Sequence, residues 1–420
     1  MTMNYSLAYA QERDTQDPLR AYRERFHFPR HKGEDVLYFT GNSLGLQPRT
    51  VRAHIDQELK DWAELGVEGH FKAAHPWMHY HKRFSEQAAA IVGALPQEVV
   101  VMNTLTVNLH LLMVSFYRPT PQRYKIMVEG HLFPSDHYAV ESQLQYHGFA
   151  PKDGLIELMP RAGEHTLRTE DILAAIEEAG DSLALIMIGG VNYYTGQFFD
   201  LPSITEAGHK VGAMVGFDCA HAAGNVPLQL HDWEVDFAAW CTYKYLNSGP
   251  GSVGGVFIHD KHLHDPNIPR FNGWWGYKED TRFKMEKGFV PMEGAAAWQN
   301  SNAPVFNMVA HKASLDIFSE VGMDKLREKS IALTGFLEFC LHHVNDTYDL
   351  GLQLITPADP NQRGCQLSIL TGEDGEALFQ RLESQGVVAD WRHPNVIRVA
   401  PVPLYNRFED AFRFAELLKG

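Results

Sequence analysis

Cysteine is scarce: Cys219, Cys241, Cys340 and Cys365 are scattered through 420 residues, with no CxxC pair. That spacing excludes a disulfide framework or a zinc knuckle, and predicts buried thiols in a reducing compartment. The opening stretch MTMNYSLAYAQERDTQDPLR carries charges where a secretory signal needs an apolar core. No run approaches the roughly 20 apolar residues of a membrane span. Basic residues are also in deficit, with 37 Lys+Arg against 52 Asp+Glu and a net charge of −15. Without a basic stripe, a nucleic-acid partner is excluded. No repeat or low-complexity tract is present, and no GxGxxG follows the first strand, which disfavours a dinucleotide-binding dehydrogenase. A cytoplasmic protein acting on a small molecule, away from membranes, is the expectation. Any phosphate it binds must be held by local geometry rather than by overall charge.

The remaining composition, 45% apolar, 21% charged and 11% aromatic, is that of a globular protein. Its length exceeds what one core organises and predicts two domains. After about 35 polar, helix-prone residues, VLYFT (36–40) reads as a strand and GNSLG (41–45) as a turn. Pro48 should open a helix through VRAHIDQELKDWAELG, with Val51, Ile55, Leu59 and Trp62 on one face. Apolar strands then alternate with helices: YKIMVEG (124–130), ALIMIGGVN (184–192) and AMVGFDCAH (213–221) are separated by DILAAIEEAG (171–180) and ITEAGHKVG (204–212). This order predicts a mostly parallel sheet covered on both faces, with ligands at the strands' carboxyl ends. Beyond residue 308, one long helix to about residue 344 leads into CQLSIL (365–370), a helix, VIRVAPV (396–402) and a closing helix. The predicted division is an N-terminal segment (1–49) packing with a small α+β domain (309–420), and a large domain (50–308) between them.

The densest chemistry lies between residues 217 and 255. Asp218 ends an apolar strand, His221 follows, and Lys244 sits in WCTYKYLNSGPGSVGG, a loop whose small residues let backbone approach a ligand. Pyridoxal phosphate (PLP) needs an amine to form a Schiff base and an anion to keep its ring nitrogen protonated. Taken alone, Asp218 is an ordinary cap and Lys244 a solvated loop lysine. In MNTLTVNLHLLMVSFY, Asn103, Thr104 and Thr106 precede Leu109, Leu112, Met113 and Phe116 at helical spacing. By itself this is a capped helix start. Beside the other two it supplies an anion site that needs no basic patch.

Seven segments, YFTGNSLGL, NTLTVNLHLLM, FPSDHYAVESQL, GFDCAHAAGNVPLQLHDWEVDFAAWCTYKYLNSGPG, NGWWGYK, WQNSNAP and IRVAPVPLYN, spread over residues 38–406, resemble the kynureninase family. The resemblance implies an aspartate-aminotransferase-type (fold type I) PLP enzyme, a homodimer with shared sites. It would hydrolyse L-kynurenine or 3-hydroxy-L-kynurenine to L-alanine and anthranilate or 3-hydroxyanthranilate, in tryptophan catabolism and NAD precursor synthesis. It further implies Lys244 as the Schiff-base lysine, Asp218 on the ring nitrogen, and His221 near the ring. Phe133 would stack on that ring, with Ser135 and Asp136 beside it. Leu105 and Thr106 would hold the phosphate, joined by Tyr243, which is also the acid–base candidate. Trp274 and Asn302 would complete the site across the dimer, and Arg398 would clamp the substrate carboxylate. Without the resemblance, Phe133 and Trp274 are core aromatics, Asn302 a turn residue, and Arg398, alternating with apolar neighbours, a surface charge.

The chain departs from the family at Gly189, where a hydroxyl residue usually stands near the phenolic oxygen of PLP; Asn192 could substitute. His70, with Ser301 and Asn302, resembles members that prefer the hydroxylated substrate. Two other enzymes compete. GNSLG matches the G-x-S-x-G nucleophile elbow of serine hydrolases, with Ser43 as nucleophile, although no HGGG-type segment precedes it; otherwise Ser43 is a hydrogen-bond donor at the substrate site. A cysteine desulfurase would need a reactive thiol, which the four cysteines do not obviously offer. The histidines of HPWMHYHK (75–82) and HDKHLH (259–264) lack the spacing of a metalloprotease and predict no metal site.

Overall fold

The computed structural model describes residues 3–419. Seven strands build the central sheet: β1 Val99–Met102, β2 Lys125–Glu129, β3 Leu155–Leu158, β4 Leu183–Gly189, β5 Met214–Asp218, β6 Phe237–Cys241 and β7 Gly254–Ile258. Their spatial order is β1-β7-β6-β5-β4-β2-β3. Only β7 runs antiparallel to its neighbours. Alternation splits each strand between two cores. Val99, Val101, Ile186 and Ile188 join one cluster, while Val100, Met102, Leu185 and Met187 join the other. A sheet buried on both faces explains why these strands read as continuous apolar runs.

The N-terminal helix α1 (Leu7–Gln16) lies far in sequence from the helix it meets, the closing one. Asp14 accepts from the backbone N–H groups of Phe408 and Glu409, at 2.7 and 2.9 Å, capping that closing helix from a distance. Ala10 and Phe39 belong to the third core, beside Leu337, Ile397 and Phe414. Leu37–Tyr38 pairs parallel with Val387–Val388. The C-terminal sheet is antiparallel, with β8 Gln353–Leu354, β9 Leu367–Leu370, β10 Asp390–Arg392 and β11 Val396–Val399 in the order β8-β9-β11-β10.

Three local expectations are corrected. Pro48 is paired with Phe26 in a two-residue strand, and helix α2 begins at Val51. Within α2 (Val51–Leu65), Leu59 and Trp62 are 45% and 58% exposed, whereas Glu58 and Asp61 face inward. Glu58 is satisfied by Trp77 Nε1 at 2.8 Å and Tyr80 Oη at 2.9 Å, and Asp61 by the N–H of Ala74 at 3.0 Å. Those partners make a polar face buriable that periodicity assigned to solvent. The single long helix is two, Val305–Val321 and Met323–Tyr348. Gly322 interrupts them at φ +80°, a conformation that costs glycine little.

Candidate active site

Strand ends, one helix start and the C-terminal sheet meet around a cavity of about 400 Å³. That volume lies within the ~300–1,000 Å³ usual for small-ligand sites. Asp218, at the carboxyl end of β5, faces it and accepts from the N–H of Ala220 at 2.7 Å. Helix α3 (Leu105–Phe116) points its first turn into the same space. Thr104 is its N-cap residue, yet no side chain caps it, so the N–H groups there remain free for an anion. Asn103, also expected at the cap, instead donates to Asn108 at 3.1 Å. Lys244 Nζ lies 5.9 Å from the Phe133 ring and 6.0 Å from that of Tyr243. Its loop is held by the GNSLG turn, where Gly45 donates to the Tyr243 carbonyl at 2.8 Å.

Helix α4 (Pro134–Tyr146) brings Ser135 and Asp136 to the wall, with Ser135 Oγ donating to Asp136 at 3.1 Å. Burial first, then the adjacent Asp218 carboxylate, push Asp136 well above the usual carboxylate range. His221 is buried, and its Nδ1 has no partner among the described residues. Burial, with Lys244 beside it, holds the ring well below its ordinary pKa and therefore neutral. Burial also raises Tyr243, so its hydroxyl keeps its proton.

Arg398 is not the surface charge its alternation predicted: it is 1% exposed. Its guanidinium donates to the Tyr193 carbonyl at 2.5 Å and pairs with Asp390. Asp390 also accepts from Ser43 Oγ at 2.8 Å and Arg392 at 3.1 Å. Ser43 is thereby committed to a carboxylate and, among the described residues, hydrogen-bonds to no histidine, which removes the hydrolase reading. All four cysteines are buried and none lines the cavity, so no thiol is placed for desulfurase chemistry.

The cavity thus gathers Ser43, Leu105, Thr106, Phe133, Ser135, Asp136, Asp218, His221, Tyr243, Lys244 and Arg398. Its amine, carboxylate, free helix start and aromatic face fit PLP: Lys244 would hold it covalently, Asp218 its ring nitrogen, and Leu105 and Thr106 its phosphate. Four expected residues lie elsewhere in the single chain. Trp274 is 45% exposed beside Trp275 and Phe283. Ser301 and Asn302 line a separate hollow with Asn103 and Val107. His70 contacts the Val67 carbonyl at 3.1 Å and the Trp77 ring. Asn192, the expected substitute at Gly189, does not line the cavity, and its Oδ1 accepts from Tyr194 N, Thr195 N and Thr195 Oγ1 to close a turn.

Glu129, Tyr193 and Arg392 also line the cavity and were not anticipated. Glu129 ends the strand YKIMVEG, so the strand-end rule that singled out Asp218 could have found it. Arg392 carried no such signal. Among the remaining histidines, His231 and His259 come together with Glu98. Glu98 accepts from His231, Asp260 N and Leu95 N, and His259 Nδ1 from Lys261 N, so the group is held together by hydrogen bonds within the protein.

Residues 326–418 match the family model described as the kynureninase C-terminal domain. The chain is 55% identical to a kynureninase of Flavobacterium psychrophilum, covering 100% of this chain and 99% of the relative. The corresponding identity is 54% for a kynureninase of Myxococcus xanthus (99% and 97% covered) and 50% for one of Nematostella vectensis (99% and 94%). Among solved structures, a variant of C-DES with glycine covalently linked to its PLP cofactor superposes with TM-score 0.75 at 19% identity, covering 91% of this chain and 96% of the other. The Escherichia coli cysteine desulfurase CsdA also gives 0.75, at 17% identity and 95% and 97% coverage. At those identities the structural likeness establishes the fold-type-I architecture alone.

Proposed function

The chain belongs to the kynureninase family, and from that premise we propose that it hydrolyses the Cβ–Cγ bond of 3-hydroxy-L-kynurenine in preference to L-kynurenine. It is a PLP-dependent hydrolase acting on a carbon–carbon bond of a ketonic substrate. The observation that carries the site is the meeting of Lys244, Asp218 and the uncapped start of α3 around one cavity.

Bound PLP supplies an electron sink next to the substrate's α-carbon. Lys244 would anchor it and would serve as the base for the proton at that α-carbon, and Asp218 would keep the ring nitrogen protonated. Tyr243, kept neutral by burial, delivers a proton through Oη to Cβ as that carbon departs from the hydrated γ-carbonyl. Arg398, braced by Asp390 and the Tyr193 carbonyl, presents the substrate α-carboxylate with a fork of fixed orientation. Water is consumed, and alanine and the aromatic amine acid leave.

A second copy of the chain completes the site. Trp274, Ser301, Asn302 and His70 lie outside the cavity of one chain, and Leu59, Trp62, Phe71 and Phe306 leave apolar surface exposed. His70, Ser301 and Asn302 would supply polar partners for the substrate's ring hydroxyl, and an analogue lacking that hydroxyl would leave them unpaired. The unit of function is a large domain (50–308) with a small domain (309–420) that the N-terminal segment (1–49) joins. No helix of the described residues is long and apolar enough to cross a membrane, and four free thiols suit a reducing cytoplasm.

Comparing kcat/KM for the two substrates tests the preference; a clear advantage for kynurenine overturns it. Borohydride reduction should fix the cofactor to Lys244, and label at another lysine would refute the site.

A further inference from the structure

PLP offers four polar handles to a protein: phosphate, ring nitrogen, aldehyde carbon and phenolic oxygen. In this cavity the first three would meet the start of α3, Asp218 and Lys244. The wall beside Asp218 is the end of β4, where Gly189 pairs in register with Asp218 and has no side chain to donate anything. A Cβ added at Gly189 would fall 2.8 Å from Oε1 of Glu129, so the glutamate fills the space that the glycine leaves.

Glu129 ends β2, which neighbours β4. It is 3% exposed yet lines the cavity. Its Oε2 accepts from the N–H of Gly189 at 2.9 Å, its own backbone N–H also hydrogen-bonds the carboxyl, and no other described residue donates to Oε1. The carboxyls of Asp218 from β5 and Asp136 from α4 lie near it and Tyr193 faces it, while Lys244, Arg392 and Arg398 line the same cavity without forming an ion pair with it among the described residues. A buried carboxylate with acidic neighbours and only backbone N–H partners is better accommodated with its proton on. Burial, against the hydrogen bonds from Gly189 and from its own backbone, raises it to about 7. A protonated carboxyl is a hydrogen-bond donor, and Oε1 is the oxygen left to carry the proton.

We propose that Glu129, as a neutral acid, donates through Oε1 to the phenolic oxygen of PLP, taking the place that Gly189 leaves without a side chain. The arrangement fixes the ring's in-plane orientation between Glu129 on one side and Asp218 on the nitrogen. It also withdraws charge from the phenolic oxygen, which loosens that oxygen's hold on the neighbouring Schiff-base proton. The inference rests on the PLP reading of the cavity. That reading fails separately, by the absence of any Schiff-base absorbance in the purified protein.

The test is a spectrophotometric pH titration of the holoenzyme's cofactor. Glu129→Ala should raise the midpoint of the Schiff-base colour change by about one pH unit, because a neutral donor has been removed. An ionised Glu129 acting as a counter-charge would give the opposite sign, so an unchanged or lowered midpoint overturns the proposal. Glu129→Met, which fills the volume without a donor, carries the same expectation should the alanine variant not fold. Glu129→Gln retains an N–H donor and should leave the midpoint near wild type. Adding Gly189→Ser to Glu129→Ala puts a hydroxyl on the same wall with its clash removed, and should return the midpoint most of the way. Failure of that rescue, with PLP still bound, counts against the assignment.

Discussion

The large sheet presents carboxyl groups to the cavity from the ends of its strands, whereas the small sheet presents guanidinium groups braced by a carboxylate of its own. Asp218 and Glu129 terminate β5 and β2, and Asp136 enters with the neighbouring helix α4. Arg398 lies inside β11 and Arg392 at the end of β10, both on Asp390. In the proposed reading the acidic side would hold the cofactor's ring and the cationic side the substrate's carboxylate. Their meeting would let a chain with net charge −15 bind two anionic groups. One would be held by backbone N–H groups and the other by a local excess of cations.

Lys244, on the acidic side, is where the contrast breaks most completely. Lys244→Ala should lose the covalent cofactor and at least about 10⁴-fold in kcat, read from the absorbance spectrum and from steady-state turnover. Next comes the cationic side. Arg398→Lys keeps the charge but loses the fork, and kcat/KM should fall by about 10²-fold, chiefly through KM, with the cofactor spectrum intact. If the spectrum changed as much as KM, the division of labour between the two sheets would be wrong.

A smaller effect sharpens the acidic side. Folded Glu129 keeps its proton up to about pH 7, while in the unfolded chain it would lose it near its ordinary 4.5. The folded state therefore binds the extra proton and loses stability as pH rises from about 4.5 to 7, by at most roughly 3 kcal/mol. Glu129→Gln lacks that term, so chemical denaturation at pH 5 and pH 8 should show its stability falling less than that of wild type. Smallest of all, Trp62→Ala on the exposed face of α2 should change the stability of the isolated fold by about 0.5 kcal/mol or less. Sedimentation equilibrium should nevertheless show weakened self-association; no change in association would remove that face from the interface.

Legibility followed the same division. The strand-end rule and the helix-start pattern marked Asp218 and the α3 start as positions that can face a ligand, because both depend on residues within one element, although no side chain caps α3. Glu129 obeys the same rule, but a single acid after an apolar run is common and carries no role by itself. Arg398 was misjudged on its own pattern, since alternation on a strand cannot reveal that the Tyr193 carbonyl, 205 residues away, waits for its guanidinium. The α2 face was inverted for a related reason. Leu59 and Trp62 look like core and Glu58 and Asp61 like surface until Trp77, Tyr80 and Ala74 supply donors from the following segment.

By itself the amino-acid order determined most of the segments that become strands and helices and the alternation that builds the covered parallel sheet. Those features rest on periodicity and backbone stereochemistry, which act over about ten residues. Only the tertiary structure decided the charge state of Glu129 and Asp136, the burial of Arg398 and the commitment of Ser43 to Asp390. Desolvation and Coulomb interactions depend on which groups are brought within a few ångströms, and in this chain those groups are separated by tens to hundreds of residues.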